Sequence, residues 1–241
     1  MIKNAVLPIA LFLCGVCAVP LTASAQISVS RSVVEFSRTE KVQDVEVYNG
    51  GDHKVYLDMT AAEIINPESE NAQRVELTDP RSAPLLVTPR QLLVPAGERR
   101  RLRIVLREQA VEKDRVFRLA VKPYSGSVNI DGAGDDKKSS AIKVLVGYDL
   151  LLVSRPPQLN ADVAVNRTAR SIEFRNTGNT NVLLRKIEQC DDQGEQCVEL
   201  PPNRLYAGES YTLDLPLPGK ATQYPVTVWQ AVGLQNSKKV Y

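Results

Sequence analysis

Two cysteines in the second half of the chain, Cys190 and Cys197, have the spacing of a local disulfide bond. They are separated by Asp-Asp-Gln-Gly-Glu-Gln, a polar sequence that favours a turn. In an exported protein such a pair is expected to be oxidised and to close a hairpin loop. Zinc binding is the alternative chemistry, but it needs two further ligands, and His53 is the only histidine. The pattern therefore predicts a Cys190–Cys197 disulfide and no metal site.

The sequence has few residues that could perform catalysis. It contains no Gly-x-Ser-x-Gly motif, and no cysteine outside the disulfide pairs with a histidine. His53 lies in the polar turn of residues 50–54, where a histidine is usually a solvated side chain. The glycines at 132 and 134 do not have the spacing of a phosphate-binding loop. We therefore expect a protein that is not an enzyme and that needs no cofactor.

An arginine-rich stretch raises the question of nucleic-acid binding. Arg99, Arg100, Arg101 and Arg103 lie close together in the sequence, without aromatic residues interleaved on the same face. The formal net charge of the chain is +2, which is too small for binding driven by bulk charge. The stretch is more typical of a solvated strand edge, so we expect no nucleic-acid partner.

The first 25 residues have the pattern of an export signal. Lys3 precedes an apolar run over residues 5–20, and Ala23-Ser24-Ala25 has the small residues of a cleavage site. The apolar run is too short for a membrane span. These features predict a signal peptide over residues 1–25 and an exported mature chain that starts at Gln26.

Hydrophobic residues that alternate with a period of two dominate the mature sequence, and no helical period persists. Turn signals recur at the spacing of β-sandwich proteins. One predicted hairpin joins residues 41–48 to residues 54–59 through the turn Asn49-Gly50-Gly51-Asp52. No internal repeat is recognisable. We therefore predict an all-β protein.

Two adjacent prolines divide the mature sequence. Arg155-Pro156-Pro157 is stiff and ends strand pairing, which is typical of a domain boundary. The segments on either side are each long enough for a small sandwich. The sequence therefore predicts two domains, residues 26–154 and residues 155–241.

The longest apolar strand, over residues 141–153, follows a polar, glycine-rich loop over residues 125–140. Alternate residues of the strand share one face, and that face includes Ile142, Val144, Val146 and Tyr148. The opposite face also becomes apolar towards the end of the strand. Two interpretations remain open from the pattern alone: the strand is buried between the two sheets of a sandwich, or it offers its spare apolar face to another protein.

Several segments, in a specific order, resemble the periplasmic chaperones of chaperone–usher pilus systems. The resemblance covers essentially the whole mature chain and includes residues 29–36, 87–97, 101–105, 117–123, 155–156 and 176–182. The Cys190/Cys197 loop, followed by the sequence of residues 205–210, is most similar to the alternate branch that serves colonisation-factor fimbriae.

This resemblance implies two immunoglobulin-like β-sandwich domains set at an angle, with fimbrial pilin subunits bound in the cleft. It implies donor-strand complementation, in which a chaperone strand fills the groove of a pilin that lacks its last strand. Ile142, Val144, Val146 and Tyr148 match the donor strand. The implied function is to bind pilins in the periplasm and to deliver them to an outer-membrane usher. The same strand could pair with a second copy, which would give a self-capping homodimer.

Members of the family hold the subunit's C-terminal carboxylate with basic cleft residues. The corresponding positions of the best-known branch fall here on Val33 and Leu151, which carry no charge. The resemblance therefore directs attention to Arg118 and Lys122, on the non-core face of the preceding strand, with Arg31 and Lys143 behind them.

One further residue role comes from the resemblance, and two other functions remain open. Arg155 matches the family's interdomain ion-pair arginine, with Asp114 as its expected partner. A structural fimbrial or adhesin component with tandem sandwiches is one alternative, and the absence of a donor extension before the first strand disfavours it. An exported enzyme or sugar-binding sandwich is the other alternative, and an aromatic content of 5% disfavours it.

Overall fold

The computed structural model describes residues 27–110, 112–124 and 146–241, and these residues form strands and turns. Within that part of the chain, no helix is long and apolar enough to cross a membrane. The strands form four sheets, two built from residues before Arg155 and two from residues after it. No strand pairing joins the two halves among the described residues.

The described residues of the first half form ten strands: β1 (Ile27–Val29), β2 (Val33–Phe36), β3 (Val42–Asn49), β4 (Val55–Ile65), β5 (Gln73–Glu76), β6 (Leu85–Thr88), β7 (Gln91–Val94), β8 (Arg99–Leu106), β9 (Arg115–Pro123) and β10 (Tyr148–Ser154). One sheet has the order β1-β3-β8-β6. The other has the order β2-β10-β9-β4-β5, with β7 also paired to β4.

The two sheets of the first half pack face to face. Val45 and Ile104 from one sheet and Phe36, Phe117 and Leu152 from the other are fully buried in one cluster. On β2, β3 and β8 the residues that alternate with these are more exposed, because successive side chains of a strand point to opposite faces. The alternation in the sequence thus produces a β-sandwich.

The second half contains eight strands: β11 (Val163–Arg167), β12 (Ser171–Asn176), β13 (Val182–Cys190), β14 (Cys197–Leu200), β15 (Asn203–Leu205), β16 (Ser210–Asp214), β17 (Val226–Val232) and β18 (Gln235–Val240). Its sheets have the orders β11-β12-β16 and β14-β13-β17-β18, with β15 also paired to β13. Ile172 and Phe174 of the first sheet pack against Leu184, Ile187 and Val228 of the second. The predicted all-β fold with two sandwiches is confirmed.

The predicted hairpin between residues 41–48 and 54–59 is wrong. β3 pairs with β1 and β8, whereas β4 belongs to the other sheet. The buried side chain of Asn49 explains the crossing, because its amide donates to the carbonyl oxygens of His53 (2.8 Å) and Val94 (2.9 Å). Its Oδ1 accepts from the amide of Gly51 (3.0 Å). These bonds attach the turn to β7. The chain therefore passes to the other sheet after the turn and does not fold back as a hairpin.

The same asparagine arrangement occurs in the second sandwich, although the sequence shows no recognisable repeat. Asn176 is buried, and its amide donates to the carbonyl oxygens of Thr180 (2.8 Å) and Leu205 (2.9 Å). Its Oδ1 accepts from Gly178 (2.9 Å). We call Asn49 and Asn176 the asparagine brackets. Each holds a sheet-to-sheet crossing by satisfying backbone groups that would otherwise be buried without partners.

Candidate functional site

Strand β10 is paired on both sides over only part of its length. Antiparallel β9 pairs with it from Tyr148 to Ser154, whereas parallel β2 pairs only from Leu151 onward. The amide of Leu151 donates to the carbonyl oxygen of Ser32 (2.9 Å), towards the β2 side. Backbone amides alternate between the two edges of a strand, so that of Asp149 also points to that side, and the same alternation continued one residue before the strand predicts it for Gly147. No described strand pairs with them there, and we call this stretch, residues 146–150, the open edge.

The structure describes two of the four residues matched to the donor strand. Val146 lies on the open edge, and 46% of its surface is exposed. Tyr148 packs against the core of its own sandwich, and its hydroxyl donates to the carbonyl oxygen of Ile27 (2.7 Å). Ile142 and Val144 lie outside the described residues. The side chain of Tyr148 is therefore already used within the domain, while that of Val146 is available to a partner.

The apolar residues on the opposite face of β10 contact the second sandwich. Leu151 and Val153 form a buried cluster with Val116 of β9 and with Tyr206, which follows β15. The late apolar character of this face thus has a structural explanation, because it lies at the junction between the sandwiches. The sequence pattern left open whether this face is offered to another protein. In the structure Tyr206 covers it.

The buried Arg155 lies at the same junction. Its guanidinium donates to both carboxylate oxygens of Glu35 (2.7 and 3.1 Å) and to the hydroxyl of Thr180. The expected partner, Asp114, is 3.8 Å away and is bound mainly by Thr180 and Asn181 of the second sandwich. Glu35 is the closer ion-pair partner, and the sequence did not indicate it.

A row of three cross-strand partners crosses the outer face of the sheet. Val33 of β2 pairs with Leu151 of β10, and Leu151 pairs with Arg118 of β9. The two positions that match the best-known anchor, Val33 and Leu151, are therefore neighbours in register. Arg118 lies one strand further along the same row, on the same face, because directly paired residues point to the same side. This geometry brings a positive charge beside the two uncharged positions.

Strand β9 carries two arginines that differ in their partners. Arg115 donates to both carboxylate oxygens of Glu63 (2.8 and 2.9 Å) and to Glu108 (3.2 Å), and the bonds to Glu63 raise its pKa. Arg118 is half-buried and makes no hydrogen bond or ion pair with any residue that the structure describes. The guanidinium of Arg118 thus remains available to bind an external anion.

The other two predicted anchor residues do not lie beside Arg118. Lys122 is four residues further along β9, so the two Cα atoms are about 13 Å apart at the rise of an extended strand. Arg31 is exposed before β2, and its guanidinium donates to the side chain of Gln43 (3.2 Å). The three residues therefore do not form one binding site, although each lies on the first sandwich.

Two residues of the second sandwich, Arg204 and Tyr206, lie at the junction near Arg118. The sequence analysis did not identify them. Arg204 of β15 lines a groove of about 620 Å³ between the sandwiches, and the predicted anchor residue Arg31 lines the same groove, together with Val33 and Glu35. Burial lowers the pKa of Arg204. Tyr206 is 4% exposed, burial raises its pKa, and the charges of Arg204 and Arg118 oppose that rise. Only the tertiary structure places these residues near Arg118.

The remaining sequence-predicted features are accounted for within the sandwiches. Cys190 and Cys197 are bonded, with an S–S distance of 2.07 Å, and are direct cross-strand partners of β13 and β14. Strand β8, which carries the arginine-rich stretch, lies inside its sheet and not at an edge. Arg103 donates to both carboxylate oxygens of Asp44 on the neighbouring strand (3.0 and 3.2 Å). The disulfide is confirmed, and Arg101 and Arg103 form exposed cross-strand ion pairs with Asp44.

Comparison with models of known protein families shows which family the chain belongs to. The family of pili and flagellar-assembly chaperones, represented by the PapD N-terminal domain, matches residues 26–160. This match spans more than half of the chain, and the chain belongs to that family. A search of curated proteins found no matching relative.

Solved structures with the same fold include several fimbrial chaperones. The class 5 fimbriae chaperone CfaA has a TM-score of 0.62 and 18% identity, and the match covers 89% of this chain and 98% of CfaA. A chaperone–tip adhesin complex of CFA/I fimbriae biogenesis gives a TM-score of 0.59 at 19% identity, covering 90% and 98%. A Salmonella enterica complex of the SafA pilin with the SafB chaperone gives 0.61 at 14%, covering 91% and 97%. At these identities the similarity establishes the fold.

Proposed function

We propose that this chain is a periplasmic fimbrial assembly chaperone of the alternate branch. It binds pilin subunits by donor-strand complementation, keeps them from premature polymerisation and delivers them to an outer-membrane usher. The observation that carries the proposal is the open edge of β10, in a chain that belongs to the pilus-chaperone family. That membership does not favour a structural fimbrial component.

The open edge has the two properties that strand donation needs. The amides of Gly147 and Asp149 point to a side where no described strand pairs with them, so an incoming strand can bond to them. Val146 is exposed beside them, and the alternating sequence pattern predicts that Ile142 and Val144, which precede it outside the described residues, share its face. Full burial of one such side chain contributes about 1.5–3 kcal/mol. Pairing and burial therefore act together to hold a subunit that lacks its own last strand.

Two features support export to the periplasm. Residues 1–25 have the pattern of a signal peptide, and the Cys190–Cys197 disulfide requires an oxidising compartment to persist. In this proposal the mature chaperone consists of a donor domain, residues 26–154, and a second domain, residues 155–241. Arg155, with Glu35 and Asp114, fixes the two domains to each other at their junction.

The donor-strand assignment is tested with the pilin encoded beside the chaperone gene. The two are co-expressed, and pilin recovered with the purified chaperone is measured. Val146→Arg is expected to abolish recovery, because the arginine would be buried in the pilin groove, while the exposed site leaves the free chaperone folded. Val144→Arg should act in the same way.

Val75→Arg is the matched control, because Val75 is a similarly exposed valine on the same sheet, 48% against 46%. It should leave pilin recovery unchanged. Full recovery with both Val144→Arg and Val146→Arg would reject the donor-strand assignment, and unfolding of both variants would show that the segment is core.

The carboxylate anchor is a separate part of the proposal, with Arg118 as the first residue and Lys122 and Arg31 as more distant contributors. A charge-assisted bond to a half-buried guanidinium contributes about 1.5–3 kcal/mol to binding. Arg118→Ala should weaken pilin binding accordingly, as measured by titration calorimetry. Arg103→Ala removes an exposed strand arginine and should change nothing measurable. Equal losses in both variants would remove Arg118 from the anchor.

A further inference from the structure

A β-bulge in β13 places two successive cations on the outer face of the second sandwich. The pairing of β13 with β17 shifts register between Leu184 and Lys186, so Arg185 is an extra residue on β13. Leu184 and Ile187 are both fully buried in the core, and Arg185 and Lys186 between them are both directed away from it. Strict alternation would have turned one of the two charges inward. The bulge therefore brings a second charge to the surface.

Lys186 is one end of a row of three side chains that crosses β13, β17 and β18. Its cross-strand partner is Trp229, and the partner of Trp229 on the other side is Lys238. The ammonium groups of Lys186 and Lys238 lie 5.0 and 5.1 Å from the centroid of the partly exposed indole ring, within the range of a cation–π interaction. Trp229 is the only tryptophan of the chain. We call Arg185, Lys186, Trp229 and Lys238 the tryptophan platform.

The positive charge of the tryptophan platform is only partly neutralised by the residues that the structure describes. Lys186 pairs with Glu188 on its own strand. Arg185 donates to the amide oxygen of Asn236 (3.0 Å), which is a neutral group. No described carboxylate forms an ion pair with Arg185 or with Lys238. Three cations with one paired carboxylate form a surface that is complementary to an acidic partner.

The tryptophan platform is continuous with the groove between the sandwiches. A hollow of about 610 Å³ lies beside Trp229, and Arg185 and Asn236 line both this hollow and the groove that contains Val33. Val33 pairs with β10, the strand that carries the open edge. A protein that is bound along β10 and fills the groove therefore reaches the tryptophan platform directly.

We propose that the tryptophan platform binds an acidic surface on the body of the captured pilin subunit. The inference rests on the proposed function, and it adds a contact that uses neither backbone pairing nor the terminal carboxylate. Charges at the rim of an interface act mainly on the association rate and on the choice of partner. The tryptophan platform therefore favours subunits whose facing surface carries aspartate or glutamate. An anionic membrane is a poorer match, because the disulfide loop on the same sheet carries Asp191, Asp192 and Glu195, which such a membrane would repel.

The single tryptophan makes the tryptophan platform directly observable. The chaperone is labelled with 5-fluorotryptophan, and the unlabelled pilin encoded beside its gene is refolded in its presence. The readout is the one ¹⁹F NMR resonance, which comes from Trp229. The resonance should shift or broaden in the complex, because the subunit replaces water beside the ring and attracts the flanking lysines. An unchanged resonance in a complex that gel filtration shows to have formed would overturn the inference.

A charge variant tests the chemistry of the contact. Arg185→Gln/Lys238→Gln removes the two cations of the tryptophan platform that pair with no described carboxylate. It should slow association with the pilin about threefold to tenfold at low salt, and the difference should disappear at high salt, where surface charges are screened. Stopped-flow fluorescence with a dye on the pilin measures the rate.

Arg175→Gln/Lys220→Gln is the matched control, because it removes the same net charge from exposed positions of the second sandwich. Arg175 lies on β12, in the other sheet, and Lys220 lies outside the strands. The control should associate at nearly the parent rate. Equal slowing in the two double variants would assign the effect to net charge and would overturn the inference.

Further outcomes identify other occupants and separate the inference from the proposed function. A change of the Trp229 resonance with phosphatidylglycerol vesicles, or on raising the concentration of the chaperone alone, without a change on adding pilin, would reject the subunit as the occupant. Capture of pilin with an unchanged resonance and an unchanged rate would overturn the inference and leave the chaperone function standing. Failure of the parent chaperone to capture the pilin would overturn both.

Discussion

The two sandwiches each have an open sheet edge, and the two edges differ in their side chains. The open edge of β10 carries the exposed Val146, and the preceding sequence is apolar. Among the described strands, β18 pairs only with β17, and its sequence is Gln-Asn-Ser-Lys-Lys-Val. Both edges offer unpaired backbone groups, but only the first adds apolar area that a partner can bury. The difference supports the proposal that the open edge of β10 accepts another strand.

Lys239 shows how the second edge is protected. Its cross-strand partner is Val228, which is buried in the core, so Lys239 lies on the core-facing side of the sheet. A charge directed inward on an edge strand opposes pairing with another chain, because a further strand would bury it. Asp149, the polar residue on the open edge of β10, lies on the face opposite Val146 and does not block it in this way.

The sandwiches nevertheless share the asparagine brackets, and this gives the largest predicted effect. Asn49→Leu and Asn176→Leu each remove a side chain that bonds three backbone groups. We expect each variant to lose roughly 2–4 kcal/mol of the free energy of unfolding, because the backbone partners stay buried and unsatisfied. Urea denaturation measures both. A loss of unfolding free energy in only one variant would show that the two asparagines are not equivalent in the two sandwiches.

Removal of the disulfide should have a smaller effect and act on the second sandwich alone. The bond joins neighbouring residues of β13 and β14. The double variant Cys190→Ser/Cys197→Ser should lose about 2.5 kcal/mol by the loop-entropy relation. Pilin capture should persist, since the open edge belongs to the first sandwich. Loss of capture by a variant that remains folded would show that the two regions are coupled more tightly than their separate cores indicate.

The smallest predicted effect concerns the protected edge. Lys239→Val replaces the inward charge of β18 with an apolar side chain, and should leave unfolding stability within about 0.5 kcal/mol. It should instead increase self-association at high concentration, measured by sedimentation velocity. Lys220→Val is the control, because Lys220 is exposed outside the strands. If the Lys239 variant remains as dispersed as the parent, the inward charge is not what protects this edge.

Local patterns in the sequence predicted the fold class well. The period of two and the recurring turns predicted an all-β fold, and the cysteine spacing predicted the disulfide, because both depend on neighbouring residues. The predicted hairpin at Asn49 was wrong because the pairing of these strands depends on residues that are distant in the sequence. A turn signal indicates that the chain bends, but the choice of sheet depends on the bond from Asn49 to Val94, which is 45 residues away.

The candidate site shows the same limit of sequence reasoning. Arg118 was identified because alternation placed it on the outer face of one strand. Glu35 was missed because it meets Arg155 across 120 residues. Tyr206 and Arg204 were missed because they belong to the other sandwich, which brings Tyr206 against Val116 of β9 and Arg204 into the groove beside Val33. Lys122 was grouped with Arg118 because both share a face, and only the rise along the strand separates them.

The most direct test of the open edge is amide hydrogen exchange at Gly147 and Asp149, followed by NMR in the free chaperone and in its complex with the pilin. In the free protein both amides should exchange quickly, because no described strand pairs with them. In the complex both should become strongly protected, while the amides of β18 remain unchanged. Fast exchange at Gly147 and Asp149 in a complex that has demonstrably formed would contradict strand donation by β10.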